Sequence, residues 1–206
     1  MRDGSELNSR EILALAASWR LASLLLERPR PEWKSEIAAL AAEVSDPRLT
    51  RCAADAACAT EGDYHRLFGP GGAVSPREVS YCGFEDPGRL LAQLSAFYHA
   101  FSFEPRREES IDHLSVQAGF VGYLFLKQAY AKMSNDFAAA AITKDARERF
   151  AKEHVARCAQ GMSKRSGMLP AYCQTLLSWI DEGIEPDRRR PDASVTAHEP
   201  TGPSGR

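Results

Sequence analysis

Two short stretches of the chain hold the residue types that could do chemistry. Glu109-Ser110-Ile111-Asp112-His113 gathers two further carboxylate-bearing side chains around one imidazole, the raw material of acid-base catalysis or of a metal site. Tyr64-His65-Arg66-Leu67-Phe68 places an aromatic, a leucine and a second aromatic at i, i+3 and i+4, so that on a helix they share one face. Adjacent helical residues point roughly 100° apart, so Asp112 and His113 cannot work on each other and each must find other partners. Glu109 stands four residues before His113 and three before Asp112, which would group the two carboxylates and the ring at a helix start. Plain helix capping accounts for the same acids, at about 0.3–1 kcal/mol per charge. Tyr64, Leu67 and Phe68 are in the same way either core or groove.

Other routes to chemistry are thin. His65, His99 and His113 are candidates for a general base in a small helical enzyme, but only geometry and pKa tuning would make one work. The chain has no G-x-x-x-x-G-K-[S/T], H-E-x-x-H or G-x-S-x-G pattern. Gly69-Pro70-Gly71-Gly72 lacks a following lysine and reads as a chain reversal. Five cysteines, at 52, 58, 82, 158 and 173, include no CxxC pair and no Cys/His cluster, which disfavours a disulfide framework or structural zinc. No catalytic residue, metal or cofactor is assigned.

In order and spacing the two stretches resemble the paired signatures of the TorD/DmsD/NarJ redox-enzyme maturation chaperones. The first signature is an aromatic, two variable residues and Leu-Phe, as in Tyr64 to Phe68. The second is Glu, usually Pro, a variable residue and Asp-His, with Ser110 in the proline's place; both residues mark helix starts. Gly69-Pro70-Gly71-Gly72, Ser75-Pro76-Arg77-Glu78 and Asp86-Pro87-Gly88 strengthen the likeness, which covers roughly residues 10–183.

The resemblance implies an all-α, non-enzymatic chaperone of the cytoplasm. Such a protein holds the apo catalytic subunit of a DMSO-reductase-family molybdoenzyme, shields its twin-arginine signal peptide from early export and keeps it open to molybdenum cofactor insertion. A twin-arginine leader offers two guanidinium groups followed by an apolar, helix-prone segment, so its receptor needs carboxylates beside an apolar groove. On that reading Glu78, Glu109 and Asp112 form a negative rim, with His113 paired to Asp112 in the motif. Tyr64, Leu67, Phe68, Pro76, Tyr81 and Phe84 shape the apolar part. A permanent structural subunit of an oxidoreductase complex is the alternative in which the aromatic face is half of a large interface.

The elements that must position these residues read as helices throughout. Leu13, Ala17, Leu21, Leu24 and Leu25 repeat at helical spacing before Pro29 and Pro31, and Ile37, Leu40, Ala41 and Val44 stripe a second helix led by Pro31. Asp46-Pro47 starts a third, with its helical character running to Phe68 through a break near Gly62. Residues 69–85 hold two prolines and four glycines and are expected to form a long irregular loop. Asp86-Pro87 then opens the helix of Leu90, Leu94, Phe97, Tyr98 and Phe101. The run containing Leu114, Ala118, Val121, Leu124, Phe125 and Gln128 is apolar on most of its circumference, as the spine of a bundle must be. Further helices are expected from Asp136 to Gly161, broken near Glu153, and from Pro170 to Asp181.

Composition fits one soluble domain: 206 residues, 44% hydrophobic and 26% charged. The expected division is an all-helical domain at 1–183 and a disordered polar tail at 184–206 that carries Arg188-Arg189-Arg190. A formal net charge of -2 gives no field for nucleic acid and excludes a basic DNA-binding regulator. The apolar stretch from Ile12 to Leu26 carries Arg20 and is too short to span a bilayer, so no membrane insertion is expected. The protein is expected as a monomer or a dimer swapped through its loops.

Overall fold

Most helices among the described residues begin where a side chain or a proline supplies what the first free N–H groups need. The computed structural model describes residues 7–106 and 109–184. Helix α1 (Ser9–Leu25) starts from a reciprocal cap in which Asn8 and Glu11 exchange hydrogen bonds of 2.7 and 3.0 Å. Helix α2 (Trp33–Ala41) begins two residues after Pro31 rather than at it, and Asp46 caps α3 (Pro47–Ala56), which has Pro47 in its first turn.

The expected break near Gly62 falls earlier. Residues 57–60 turn the chain, Thr60 accepts from the Asp63 N–H at 3.1 Å, and α4 (Glu61–Phe68) begins with Gly62 inside its first turn. A capping hydroxyl decided the restart; the glycine did not. Helix α4 closes at Gly69, where a Cβ would lie 2.5 Å from the His65 carbonyl oxygen, so a residue with a side chain would force the turn open.

Helix α5 (Pro87–Ala100) is capped by Asp86 as expected. The spine is α6 (Leu114–Met133), whose Phe120 lies under an aromatic cluster: its ring centroid is 4.7 Å from Phe150 and 4.9 Å from Tyr98. Helix α7 (Phe137–Phe150) passes through a π-helical turn at Ala151–Val155 into α8 (Ala156–Ser163), and this turn is the break expected near Glu153. Helix α9 (Ala171–Ile184) runs past Asp181; Trp179 packs edge-on against Trp19 at 5.2 Å and donates to Asp46 at 2.8 Å.

Helices α1 and α6 lie antiparallel in the tightest pairing of the bundle. Gly122 permits it, since a Cβ there would sit 3.2 Å from both the Ala16 carbonyl oxygen and the Arg20 nitrogen. Among the described residues there is no strand, and no helix is long and apolar enough to cross a membrane. The tail expected at 184–206, with Arg188 to Arg190, lies outside the described residues from 185 onward.

Residues 69–85 are irregular, as their glycines and prolines require, apart from a short 3-10 turn at Glu78–Tyr81. They are nevertheless packed. Val74, Pro76 and Glu78 are buried, and the Tyr81 ring covers Gly161 of α8 so closely that a Cβ there would stand 2.3 Å from its Cγ. Gly161→Ala is therefore expected to lower stability by about 1–3 kcal/mol, as overpacking does. It should also speed amide exchange across residues 76–82, both readable by urea denaturation and hydrogen exchange.

Candidate functional site

The irregular segment and the start of α6 are joined by backbone. Arg77 and His113 oppose each other in an isolated antiparallel bridge: the Glu78 N–H donates to the Asp112 carbonyl at 2.9 Å and the Leu114 N–H to the Pro76 carbonyl at 2.8 Å. Helix α6 thus begins at Leu114 and not near Ser110. His113 is the cap residue, its Nδ1 accepting the Ser115 N–H at 3.1 Å, and Glu109 to Asp112 lie in the turn before the helix, not on it. Imidazole capping at 113 satisfies the helix donors that the acids were expected to serve.

Asp112 is fully buried and corrects the expectation of an acidic rim. Its carboxylate accepts from Arg77 Nε at 3.0 Å, the Ser110 hydroxyl at 2.5 Å and the Val79 N–H at 3.2 Å. Glu78 is equally buried, accepting from Gln117 Nε2 at 2.5 Å, with His154 Nδ1 at 3.1 Å and Arg157 Nη1 at 3.4 Å. Neither carboxylate faces solvent. Both fix the 69–85 segment to the core, because a buried charge is tolerable only when fully paired.

Glu109, Tyr64 and His113 do converge. The Tyr64 hydroxyl lies 3.2 Å from Glu109 Oε1 and 3.0 Å from His113 Nε2. With Nδ1 occupied as an acceptor, the neutral ring carries its proton on Nε2 and donates to Tyr64, which in turn donates to Glu109. Burial drives each group toward its neutral form: His113 is pushed down to about 4 and Tyr64 far above its ordinary value. Burial also raises Glu109, against the opposing pull of the Tyr64 hydrogen bond and Arg28. A general-base role for His113 has no support here, since both ring nitrogens are engaged. His65 and His99 are exposed on α4 and α5.

The remaining expected residues divide. Phe68 stacks edge-on against Tyr64 at 5.3 Å, and Leu67 is buried beneath. Pro76 is buried and contributes its carbonyl to the bridge. Tyr81 sits over α8 with its hydroxyl donating to the Ser75 carbonyl at 2.6 Å, while Phe84 projects wholly into solvent apart from the cluster.

Glu109 also lines a groove of about 690 Å³ between α1 and α6. Leu13, Ala17 and Arg20 form one wall; Gly119, Tyr123 and Leu126 form the other. On α6 the sequence Gly119, Tyr123, Leu126, Tyr130, Met133 advances by four and three residues, giving one uncharged helix face whose last three side chains are exposed. The groove went unread in the sequence because α6 is apolar around most of its girth, so an uncovered face looks like a covered one. Leu13, which shares its helical spacing with the buried Leu21 and Leu24, is 39% exposed on the groove. A smaller cavity of about 220 Å³, lined by Tyr64, Phe68, Asp63 and Cys58 among others, lies on the other side of the Tyr64 to Glu109 hydrogen bond. Among the described residues no three His, Cys, Asp or Glu side chains converge as a metal would need.

Two outcomes follow from this geometry. Asp112→Ala strands the Val79 N–H, the Ser110 hydroxyl and Arg77, and is expected to cost about 2–4 kcal/mol by urea denaturation, with the Val79 amide losing exchange protection. His113 takes its proton near 6.5 in the unfolded chain but only near 4 when folded. As pH falls the unfolded state protonates first, so stability is full above about 6.5 and lost down to about 4, on the order of 3 kcal/mol in all. His113→Gln should flatten that part of a stability-against-pH curve.

Comparison with known proteins gives one family. The family model described as nitrate reductase delta subunit matches residues 27–161, about two thirds of the chain and a span that includes both motifs. No curated protein matches the chain.

Proposed function

This chain belongs to the nitrate reductase delta subunit family, a family of molybdoenzyme maturation chaperones that act with molybdoenzyme catalytic subunits, and from that premise we propose what it holds and how. The protein is a cytoplasmic chaperone that binds an apo molybdenum-containing catalytic subunit of the DMSO-reductase class together with its twin-arginine leader. It keeps the subunit competent for cofactor insertion and withholds it from export until that insertion is complete. Its chaperone unit spans residues 1–183.

The groove between α1 and α6 is the observation that carries this reading. An apolar, helix-prone leader segment loses water against Leu13, Ala17, Tyr123 and Leu126, the helix-in-groove mode of peptide recognition. Glu109 at one end offers a carboxylate to a guanidinium, and Tyr64 and Phe68 continue the apolar surface into the smaller cavity. Asp112, Glu78, His113, Pro76 and Leu67 act from below the surface, fixing the wall on which Glu109 and Tyr64 stand. Tyr81 anchors this segment on α8, and Phe84 offers the client an exposed apolar contact on it. The work is binding and release, with no bond made or broken.

Affinity capture from a cytoplasmic extract lacking molybdenum cofactor tests this. The full-length protein is expected to retain one large apo molybdoenzyme subunit. Leu126→Asp, at a half-exposed position where folding tolerates a charge, should reduce that capture about tenfold or more. Retention of no molybdoenzyme subunit, or capture indifferent to Leu126→Asp, would count against the reading.

A further inference from the structure

The two ends of the α1/α6 groove differ in chemistry. At the end where α1 stops and α6 starts, four guanidiniums are held by neighbouring carboxylates. Arg20 and Arg30 each reach Glu27 at 2.9 Å, Arg30 also meets Glu36 at 2.5 Å, Arg106 stands 3.4 Å from Glu27, and Arg28 stands 3.7 Å from Glu61. Glu109 makes no such ion pair among the described residues: its carboxylate meets the Tyr64 phenol at 3.2 Å, the His113 ring at 3.7 Å and the Arg28 backbone N–H, and feels the Arg28 charge from a distance. Glu104, on the same rim, makes no ion pair among the described residues. The groove is lined by these four guanidiniums and by Glu27, Glu104 and Glu109. With Glu36 and Glu61, which pair with Arg30 and Arg28 from outside it, five carboxylates stand against four guanidiniums, and Glu104 and Glu109 are the two not paired with any of them. Toward the other end Leu126 and Leu13 line the groove, and beyond it the same face of α6 continues through the exposed Tyr130 and Met133.

Resting on the leader-binding reading above, we propose that the groove accepts its partner segment in one direction only. The segment lies as a helix parallel to α6, with its N-terminal cationic residues on Glu109 and its apolar turns on Gly119, Tyr123, Leu126, Tyr130 and Met133. From Gly119 to Met133 the face runs about 21 Å at 1.5 Å per residue, matching some fourteen residues of a helical partner. Helix dipoles do not choose the direction, because α1 and α6 are antiparallel and whatever favours one opposes the other. The charge at the Glu109 end chooses. A carboxylate already removed from much of its water, and hydrogen-bonded by a phenol and the Arg28 backbone N–H with no guanidinium paired to it, gains from a forked guanidinium. The reversed helix would set apolar side chains over that carboxylate and leave its own arginines over Tyr130 and Met133.

The test uses the full-length protein and a synthetic peptide of two arginines followed by fourteen alternating leucines and alanines, carrying a nitroxide at one end or the other. The N-terminal label is expected to broaden the amide signals of residues 109–115, and the C-terminal label those of residues 130–133. Glu109→Gln should weaken this peptide about tenfold and leave unchanged the affinity of a peptide with glutamines in place of the arginines. Broadening in the opposite sense, or of both regions from each label, or equal sensitivity of the two peptides to Glu109→Gln, overturns the direction while leaving a leader-binding chaperone in place. Failure of the wild-type protein to bind either peptide overturns the direction and the leader reading together.

Discussion

Asp112 is a carboxylate with no access to water, and the arrangement of the whole site follows from how its charge is met. Three donors converge on it, from Arg77, Ser110 and the Val79 backbone, and two of the three belong to the irregular segment. The adjoining backbone bridge adds two hydrogen bonds between residues 76–78 and 112–114. Bringing a charged group out of water without such partners would cost several kcal/mol. Segment 69–85 therefore has one position that satisfies Asp112, and taking it fixes where α6 begins. Helix α6 in turn carries His113 to Tyr64 and one wall of the groove.

Glu78 repeats the device from the opposite side. Its carboxylate reaches Gln117 in α6 and His154 in the π-helical turn, so a segment too rich in glycine and proline for regular structure is pinned at two buried charges. Neither pin tolerates a half measure, because each missing partner leaves a buried polar group unpaired. An irregular segment held in this way keeps fixed edges without the backbone regularity of a helix.

The groove has a different origin. Small residues at 119 and 122 bring α6 close to α1, and among the described residues no element covers the outer angle between them. What remains is an apolar face on a helix whose other sides are core. Exposure of Leu126, Tyr130 and Met133 in one line is costly in water and is the kind of patch that marks an interaction surface. Tyr64 and Glu109, joined by one hydrogen bond, stand between this groove and the smaller cavity, so the two signature motifs meet at a wall with a concave surface on each side.

Helix content, most helix starts and the two motifs were legible in the sequence, because capping and periodicity are decided within four or five residues. Asp46, Asp86 and Asp136 cap the helices that their neighbours announce, and the interruption near Glu153 is where the pattern placed it. The misplaced restart at Gly62 was still a local matter, settled by Thr60. Burial was not legible, because it depends on partners far along the chain. Nothing near Glu78 indicates that Gln117 and His154 will enclose it, and nothing near Asp112 says that Arg77 will neutralise it from thirty-five residues away. Local sequence thus decided the helices and the place of the two motifs among them. Which carboxylates stay buried and which line the groove was settled by the packing of distant segments, because the solvation of a charge is set by everything packed around it and not by its neighbours in sequence.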